Sequence, residues 1–418
     1  MRIHSTLHEI IAGLSTFFTI AYLFALCPQL LSQAGIDFGS ALTATILTVA
    51  ATTLFLSLYA NYPLAVGPGL SVMSYLVFSV IGKNLFTWPE ALGLVFWAGL
   101  AQFLLSWFEL RQKILIAVPA IIKHASAAGL GLFFLAVGLK QLGIVNIDGS
   151  SYSWGELGTL GQAIGLAGLL LFLFFHWKRW RGGMLLPVLF CWMAALLIGQ
   201  AQWNGLLSLP PPIDSTFGKL VFSSILEPKS WGVFVSILLI SIFDAGATLT
   251  VLARMLGWLH KDGTIRNLNR VVIPDGIGSM AAAILGTTSC SIYIESSSGI
   301  RAGGRTAITG CTTAIAVLAA LFFYPALSSI PLFATAPVLL GIGGILTAEL
   351  RWVPWKSPSD AIPFLITAMA MPVFFSIYWG FALGFLSYVL VKSVSGKAKE
   401  IHPIVWGLAV IFAIHLFV

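Results

Sequence analysis

Charged residues are scarce in this sequence. They occupy 9% of the 418 positions, whereas hydrophobic residues occupy 58%, and the mean hydropathy is +0.96. A soluble globular chain carries about 25% charged residues, so this composition excludes a soluble protein. The apolar stretches recur along the whole chain, and no polar stretch is long enough to form a separate soluble domain. The sequence therefore predicts a polytopic membrane protein.

Cysteine is also rare. The four cysteines lie in or beside hydrophobic stretches without paired spacing, which argues against a disulfide framework and a zinc site. No Gly-rich motif ending in Lys-Ser/Thr is present, so ATP-driven pumping has no support in the sequence. The net charge is +7, but the basic residues lie in short loops, as in membrane proteins with a positive cytoplasmic side. We expect no metal, no cofactor and no nucleic-acid partner.

Fourteen apolar stretches are candidates for membrane spans. About 20 apolar residues cross a ~30 Å hydrocarbon core, and shorter stretches suffice where a span is interrupted. The predicted spans are 8–27, 41–60, 68–83, 90–108, 117–138, 156–176, 183–201, 232–256, 270–285, 292–302, 305–324, 334–350, 360–375 and 377–394. The first has no small-residue cleavage site after it, so we take it as a span rather than a signal peptide, followed by a loop at 28–35. A last stretch, 403–418, is compatible with spanning, re-entering or lying at the interface.

Basic residues cluster in the loops after even-numbered spans. These residues are Arg111, Lys113, Lys178, Arg179, Arg181, Arg254, Lys261, Arg266, Arg270, Arg301, Arg305, Arg351, Lys356, Lys392, Lys397 and Lys399. The opposite loops hold only Lys83, Lys140, Lys219 and Lys229. Cytoplasmic loops carry an excess of Lys and Arg, so both ends of the fourteen-span unit are predicted in the cytoplasm.

Two spans do not have the pattern of an ordinary helix. Pro and Gly interrupt the apolar pattern at 61–75, and the segment "TTSCSIYIESSSGIRAGGR" at 287–305 begins like a strand and is rich in hydroxyl groups. The helices after the breaks begin near Pro68 and Ile292, and spans one and eight begin near His8 and Gly232, both 224 residues apart. Seven spans in each half make the second half an inverted repeat of the first. Interrupted helices at matching positions indicate a substrate site near the membrane midplane.

Three acidic residues lie within apolar segments. A charge at the membrane centre costs at least ~2.5–3.5 kcal/mol, so each acid needs a partner or a function. Asp244 lies near the middle of span eight, and Glu295 precedes the half-helix of span ten. Asp275 lies nearer the start of span nine, where it serves either as a partner for the adjacent backbone or as support behind the site.

Glu295 is the main candidate for binding a ligand. A carboxylate at a helix N-terminus is stabilised by backbone amides and remains able to accept N–H groups from a polar planar ligand. Burial also favours its protonated form, as a proton-coupled carrier requires. The nearby serines either satisfy freed backbone groups or contact the ligand. We expect the extended segments at 64–67 and 289–292 to pair with each other.

The same residues carry a resemblance to a known family. "GLSTFFTIAYLFALCPQLLSQAGID", "ANYPLAVGPGLS", "GLGLFFLAVGLKQLGIV", "FDAGATL" and "TTSCSIYIESSSGIRAGGRTAIT" resemble the adenine/guanine/hypoxanthine permease branch of the nucleobase–cation symporter-2 transporters, as do "LFATAPVLLGIGGIL" and "WGFALGFLSYVLVK". The resemblance implies an all-α fold of fourteen spans in a 7+7 inverted repeat, like that of the uracil carriers, with two short strands in the discontinuous spans 3 and 10.

The family resemblance also implies two structural domains and a transport mechanism. Residues 1–112 and 231–324 would form a core domain (spans 1–4 and 8–11), and residues 113–230 and 325–400 a gate domain (spans 5–7 and 12–14), leaving 401–418 as an extra segment. The implied activity is proton-coupled uptake of a purine base across the cytoplasmic membrane, by elevator-like movement of core against gate, in a homodimer. No enzymatic activity is expected.

The implied site follows position by position. Glu295 takes the place of the glutamate that binds the base, and Asp244 that of the carboxylate facing it; either is a candidate proton carrier. The other expected ligand-contacting residues are Gly69, Ser71, Met73, Ser241, Ser289 and Ser291, and Asp275 and Cys27 are expected behind them. Met73 stands where the family usually has Asn, Ser241 where it has Asp, and Cys27 where Asn is common. Such losses of polar groups should alter which base is carried.

Three alternatives remain from the sequence. A carrier of the same architecture would take another base, such as xanthine or uracil, or an inorganic anion such as sulfate or bicarbonate. An acidic site disfavours an anion unless its carboxylates are protonated. An intramembrane aspartyl protease built on Asp244 and Asp275 is a different class, but it explains neither the inverted repeat nor Glu295.

Overall fold

The computed structural model describes residues 6–148, 151–178, 180, 183–259 and 265–416. Three of the basic residues that orient the chain, Arg179, Arg181 and Lys261, lie outside the described residues, as do residues 1–5 and 417–418.

All fourteen predicted spans are present in the described residues. Ten helices are long and apolar enough to cross a membrane; they are spans 1, 2, 4, 5, 6, 8, 9, 11, 12 and 14, at Thr6–Gln33, Phe38–Ala60, Trp88–Trp107, Ala120–Gln141, Leu160–Trp177, Ser230–Leu256, Leu268–Leu285, Ala307–Ser328, Leu332–Trp352 and Ile377–Val394. Spans 3, 7 and 13 are shorter apolar helices, Leu70–Ile81, Leu185–Leu197 and Pro358–Val373. Span 10 contains the short helix Ser296–Arg301.

Span 1 differs from the prediction. It consists of two helices, Thr6–Ile20 and Leu23–Gln33, with a turn at Ala21 and Tyr22 between them. The predicted loop at 28–35 is therefore wrong up to Gln33, because the second helix continues through Pro28. Pro28 is buried, and a membrane helix tolerates proline where neighbouring protein surrounds the freed backbone group.

Two short strands interrupt spans 3 and 10, as predicted. Strand β1 covers Val66–Pro68, and it pairs antiparallel with a strand at Cys290–Ile292, with Gly67 opposite Ser291. The two strands begin 224 positions apart, at Val66 and Cys290, which is the offset of the sequence repeat. A hairpin between spans 5 and 6, β2 Val145–Asp148 and β3 Ser151–Trp154, was not predicted. The strand in span 10 is therefore β4.

Side-chain caps begin two of the helices, and a glycine ends a third. The Asp37 side chain accepts a hydrogen bond from Ser40 N at 2.8 Å and so caps span 2. Thr87 and Glu90 form a capping box at the start of span 4. Span 9 ends at Gly286, whose φ of 105° lies in the left-handed region that glycine adopts without a Cβ clash.

The packing of the spans has the symmetry of an inverted repeat. Span 4 packs on span 9, and their counterparts in the opposite halves, span 11 and span 2, pack on each other in the same way. Spans 5 and 12, which correspond to each other, also pack together. Spans 13 and 5 form a pair that corresponds to spans 6 and 12. The extra C-terminal segment forms one more helix, Pro403–Leu416, whose Phe412 ring packs on Tyr378 and Phe385 of span 14. The fold is thus a 7+7 inverted repeat in which the two strands meet inside the protein.

Candidate functional site

The pairing of β1 with β4 satisfies the backbone of both interrupted spans. Beyond the strands, Gly69 N donates to Ser289 O at 2.9 Å, and Tyr293 N donates to Ala65 O at 2.9 Å. The hydroxyl of Thr53 also bonds Val66, accepting from its N at 3.0 Å. Extended backbone inside a membrane protein requires such partners because lipid supplies none. The strand pair is therefore a fixed base on which nearby side chains are held.

Glu295 lies between β4, which ends at Ile292, and the short helix Ser296–Arg301. Its side chain is buried, and its Oε1 accepts a hydrogen bond of 2.7 Å from the hydroxyl of Tyr22, which lies in the turn between the two helices of span 1. Cys27, on the second of these helices, is within electrostatic range of Glu295. Span 1 therefore contributes the wall of the site that faces Glu295.

Asp244 lies in span 8, which packs beside the interrupted span 3. Its carboxylate faces the side chains of Ser71 and Ser291 and is within electrostatic range of Glu295. Ser291 Oγ is buried and makes no hydrogen bond of normal geometry with the described residues. A Cβ placed on Gly69 would lie 3.2 Å from Ser291 Cβ and 3.7 Å from Asp244 Oδ2, so glycine leaves space in front of both. Asp244, Ser291 and Gly69 together form a small polar surface.

Ser241 and Ser289 belong to a separate hydrogen-bond cluster. Ser289 Oγ lies 3.1 Å from Ser241 Oγ and 3.0 Å from Ser279 Oγ, and it accepts from Gln102 Nε2 at 3.4 Å. Ser279 Oγ in turn accepts from Cys290 N at 2.9 Å. These buried hydroxyl groups have protein partners and support the start of β4. The ligand contact predicted for Ser241 and Ser289 stays a prediction.

Asp275 forms a buried ion pair. Its Oδ2 lies 2.7 Å from Arg111 Nη2, and both side chains are nearly inaccessible. Asp275 lies eight positions into the helix Leu268–Leu285 rather than at its start, and Arg111 lies in a short helix, Leu110–Ala117, after span 4. Asp275 interacts electrostatically with Asp244, and its place behind the site stays a prediction.

Met73 and Cys27 both lie in the apolar core. Each side chain is fully buried and packs within the main hydrophobic cluster of the protein. Met73 is in the first turns of the half-helix Leu70–Ser74, close in sequence to Ser71.

The structure thus brings most of the expected residues to one place and adds others. Tyr22, Gln102 and Ser279 were not predicted from the sequence to lie at the site, and Arg111 was predicted to lie in a loop. Tyr22 lies in an apolar run, and the turn that exposes its hydroxyl to Glu295 has no Pro or Gly to signal it. The arrangement combines the buried carboxylate of Glu295 and the half-buried carboxylate of Asp244 with the Ser291 hydroxyl, which suits a small ligand that donates hydrogen bonds. Among the described residues, no group of three or more His, Cys, Asp or Glu is arranged to hold a metal ion.

Solved structures with the same fold are transporters. The transmembrane domain of the cyanobacterial bicarbonate transporter BicA superposes with a TM-score of 0.67 at 16% identity, covering 91% of this chain and 98% of that one. SLC26A9 superposes with a TM-score of 0.66 at 14% identity, covering 93% of this chain and 65% of that one. Identities this low show the fold alone.

Sequence relatives are closer and span nearly the whole chain. The chain is 35% identical to putative permease MJ0326 of Methanocaldococcus jannaschii, covering 97% of this chain and 94% of that protein. It is 35% identical to the guanine/hypoxanthine permease PbuO of Bacillus subtilis (98% and 97% covered) and 30% identical to the adenine permease AdeQ of Escherichia coli (98% and 92% covered). Residues 7–383 match the Permease family. The chain is therefore a multi-pass membrane protein that belongs to the Permease family.

Proposed function

We propose that this protein is a secondary active transporter that takes up a purine nucleobase (adenine, guanine or hypoxanthine) across the cytoplasmic membrane together with protons. The observation that carries the proposal is the pair of interrupted spans, joined by β1 and β4, with Glu295 and Asp244 beside them. The names of the relatives PbuO and AdeQ support a purine base as substrate.

In this proposal Glu295 is the main ligand of the base. Its carboxylate, which also accepts from Tyr22, accepts an N–H group of the ring, while Ser291 Oγ supplies a second polar contact near Asp244. Gly69 and Ser71 form the wall opposite, with the Met73 side chain in the apolar core behind them. Glu295, which is buried, or Asp244, which is half-buried, carries the proton, because each is a carboxyl group within a membrane span and beside the proposed binding position.

The packing supports a division into a moving core and a fixed gate. Spans 1–4 and 8–11 (1–112 and 231–324) pack mainly on each other, and so do spans 5–7 and 12–14 (113–230 and 325–400). We propose that the first group carries the base past the second in an elevator-like movement. The proposed assembly is a homodimer in the lipid bilayer of the inner membrane, with the N-terminus in the cytoplasm.

Uptake of radiolabelled bases in a strain without its own base permeases tests the proposal. We expect uptake of a purine that unlabelled adenine, guanine or hypoxanthine inhibits and that sulfate and bicarbonate do not inhibit. A protonophore should abolish accumulation. Inhibition by xanthine or uracil instead would change the base, and inhibition by sulfate or bicarbonate would indicate an anion carrier of the same fold.

The variant Glu295→Gln tests the role of the carboxylate. It keeps the size of the side chain but removes the charge and the exchangeable proton, so we expect proton-driven accumulation to be lost while the protein still reaches the membrane. The same variant separates the transporter from a protease built on Asp244 and Asp275, since such a protease does not require Glu295 and should keep its activity. Uptake by Glu295→Gln at the wild-type rate would contradict the mechanism.

A further inference from the structure

The end of span 3 is bonded to the turn between spans 13 and 14. Ser79 Oγ donates to Phe375 O at 3.3 Å, and Lys83 Nζ donates to Phe374 O at 2.6 Å. Span 3 belongs to the proposed core, and spans 13 and 14 belong to the proposed gate. The loop charges predict that this turn, residues 374–376, lies on the outer side of the membrane. The two hydrogen bonds therefore join core to gate on the side predicted to face outward.

The ring of Phe375 is packed between the core and the gate. Phe375 is buried, and its ring centre lies 5.6 Å from that of Phe78 in span 3 and 5.0 Å from that of Phe133 in span 5. The ammonium group of Lys140, near the end of span 5, lies 5.5 Å from the ring centre of Phe78 and 5.6 Å from that of Phe375. A cation at this distance attracts both rings. A movement of span 3 past the gate must therefore separate Phe78 from Phe375.

Both sides of this contact have backbone geometry that is unfavourable on its own. Phe375 has a φ of 45°, in the left-handed region that bulky side chains rarely adopt. Opposite it, residues Tyr75–Ile81 of span 3 form a π-helix, a rare form that is frequent at functional sites. Such geometry persists only where the surrounding structure imposes it. Separation of the two sides lets both backbones relax, which offsets part of the cost of breaking the contact.

A cavity of about 220 Å³ lies beside this contact. The core contributes Tyr75, Ser79, Lys83 and Val233 to its lining, and the gate contributes Ser376 and Trp379. Val233, in span 8, has only 3% of its surface exposed. Because core and gate both line the cavity, their separation at the turn should widen it and expose Val233.

Resting on the proposed elevator-like movement, we propose that residues 374–376 form a latch that keeps the protein closed on the outer side. In the closed state the ring of Phe375 packs on Phe78. Ser79 and Lys83 hold the carbonyl groups of the turn. Opening to the outer side requires release of the ring and of both hydrogen bonds, so the strength of the latch sets how often the outer side opens.

Maleimide labelling of the purified variant Val233→Cys tests the latch without requiring transport. The new side chain should react slowly, because position 233 is buried while the latch is closed. Adding Lys83→Met removes one hydrogen bond, keeps most of the side-chain volume and should raise the labelling rate about fivefold or more. Adding Phe375→Ala instead should raise it at least as much, because it removes the ring. An unchanged labelling rate in both combined variants would overturn the proposal.

Matched variants distinguish the latch from general effects on the protein. Phe374→Ala removes the neighbouring ring, which packs on Trp379 of the gate, and Lys219→Met removes an exposed basic residue. Each, combined with Val233→Cys, should label at the rate of Val233→Cys alone. The same variants without Val233→Cys give the background from the native cysteines.

The melting temperature completes the test. A lower melting temperature for Phe375→Ala with an unchanged labelling rate would reduce the ring to packing support and contradict the latch. The labelling needs no substrate, so a protein that carries no purine would refute the proposed function and leave the measurement of the latch valid.

Discussion

Arg111 and Asp275 form an ion pair of 2.7 Å inside the protein, between the segment that follows span 4 and the middle of span 9. Arg111 Nη2 also lies 3.4 Å from Ser241 O, one turn before Asp244 on span 8. A residue that resembles a cytoplasmic loop charge in the sequence therefore joins three segments directly behind Asp244.

Breaking this pair should destabilise the protein strongly. Asp275→Asn leaves the Arg111 guanidinium buried without its counter-charge, which costs roughly 3–5 kcal/mol in proteins. We expect a lower melting temperature of the detergent-purified protein and less protein in the membrane. The double variant Arg111→Met/Asp275→Leu removes both charges and should recover much of the loss. A single variant that melts like the wild type would show that the pair is not enclosed.

Gly67 in β1 and Gly69, which directly follows β1, should differ in how well they tolerate substitution by alanine. A Cβ on Gly67 would lie 2.4 Å from Val49 Cγ2 and 2.6 Å from Tyr293 Oη, closer than real Cβ contacts. Gly67→Ala should therefore disrupt the strand pair and reduce the amount of folded protein. A Cβ on Gly69 meets only a tight contact with Ser291. Gly69→Ala should fold and show a raised KM for the base, about tenfold or more, because the methyl group occupies the space in front of Asp244. Equal folded yields with an unchanged KM for Gly69→Ala would place the ligand elsewhere.

Glu9 supports the start of span 11 from span 1. Its buried carboxylate accepts from Arg305 N at 3.1 Å and Thr306 N at 3.3 Å, and also from the hydroxyl of Thr309. Glu9→Gln keeps the volume but turns one end of the group into a donor that faces other donors. We expect a loss of about 1–3 kcal/mol in stability, seen as a lower melting temperature. Glu90→Gln at the exposed capping box of span 4 serves as the control and should change the melting temperature less.

The C-terminal helix Pro403–Leu416 should stabilise the protein mainly through the ring of Phe412. Phe412 is fully buried and contacts Tyr378 and Phe385, whereas Ile414 on the same helix is 60% exposed. Phe412→Ala should lower the melting temperature, with a loss of about 3 kcal/mol or more, while Ile414→Ala should have little effect. Similar melting temperatures for both variants would indicate that the helix detaches from span 14 in the purified protein.

The main features of the site follow from the sequence because they have strong local signals. Pro and Gly around Pro68 prevent a regular helix, and the 224-residue offset connects this break to the one before Glu295. The pairing of β1 and β4 follows, since extended backbone in a membrane needs a partner.

Other features depend on tertiary contacts that no local pattern reveals. Tyr22 has the local sequence of an ordinary span residue, and only the fold brings it to Glu295. Arg111 is adjacent to the loop after span 4 in sequence, and its burial depends on Asp275, 164 positions away. Pro28 suggests a loop locally, yet the surrounding spans keep it within a helix. The hydroxyl groups of Ser241 and Ser289 were candidates for a ligand contact, but in the fold they satisfy each other.

The three-residue strand β1 has a consequence for how the chain is made. Its hydrogen-bond partner begins at Cys290, so the ribosome must add more than two hundred residues after Val66 before that partner exists. Until then the first interrupted span carries unpaired backbone groups that the hydrocarbon interior cannot accommodate. We therefore expect the first interrupted span to reach its final position in the membrane only after the second half of the chain has been inserted.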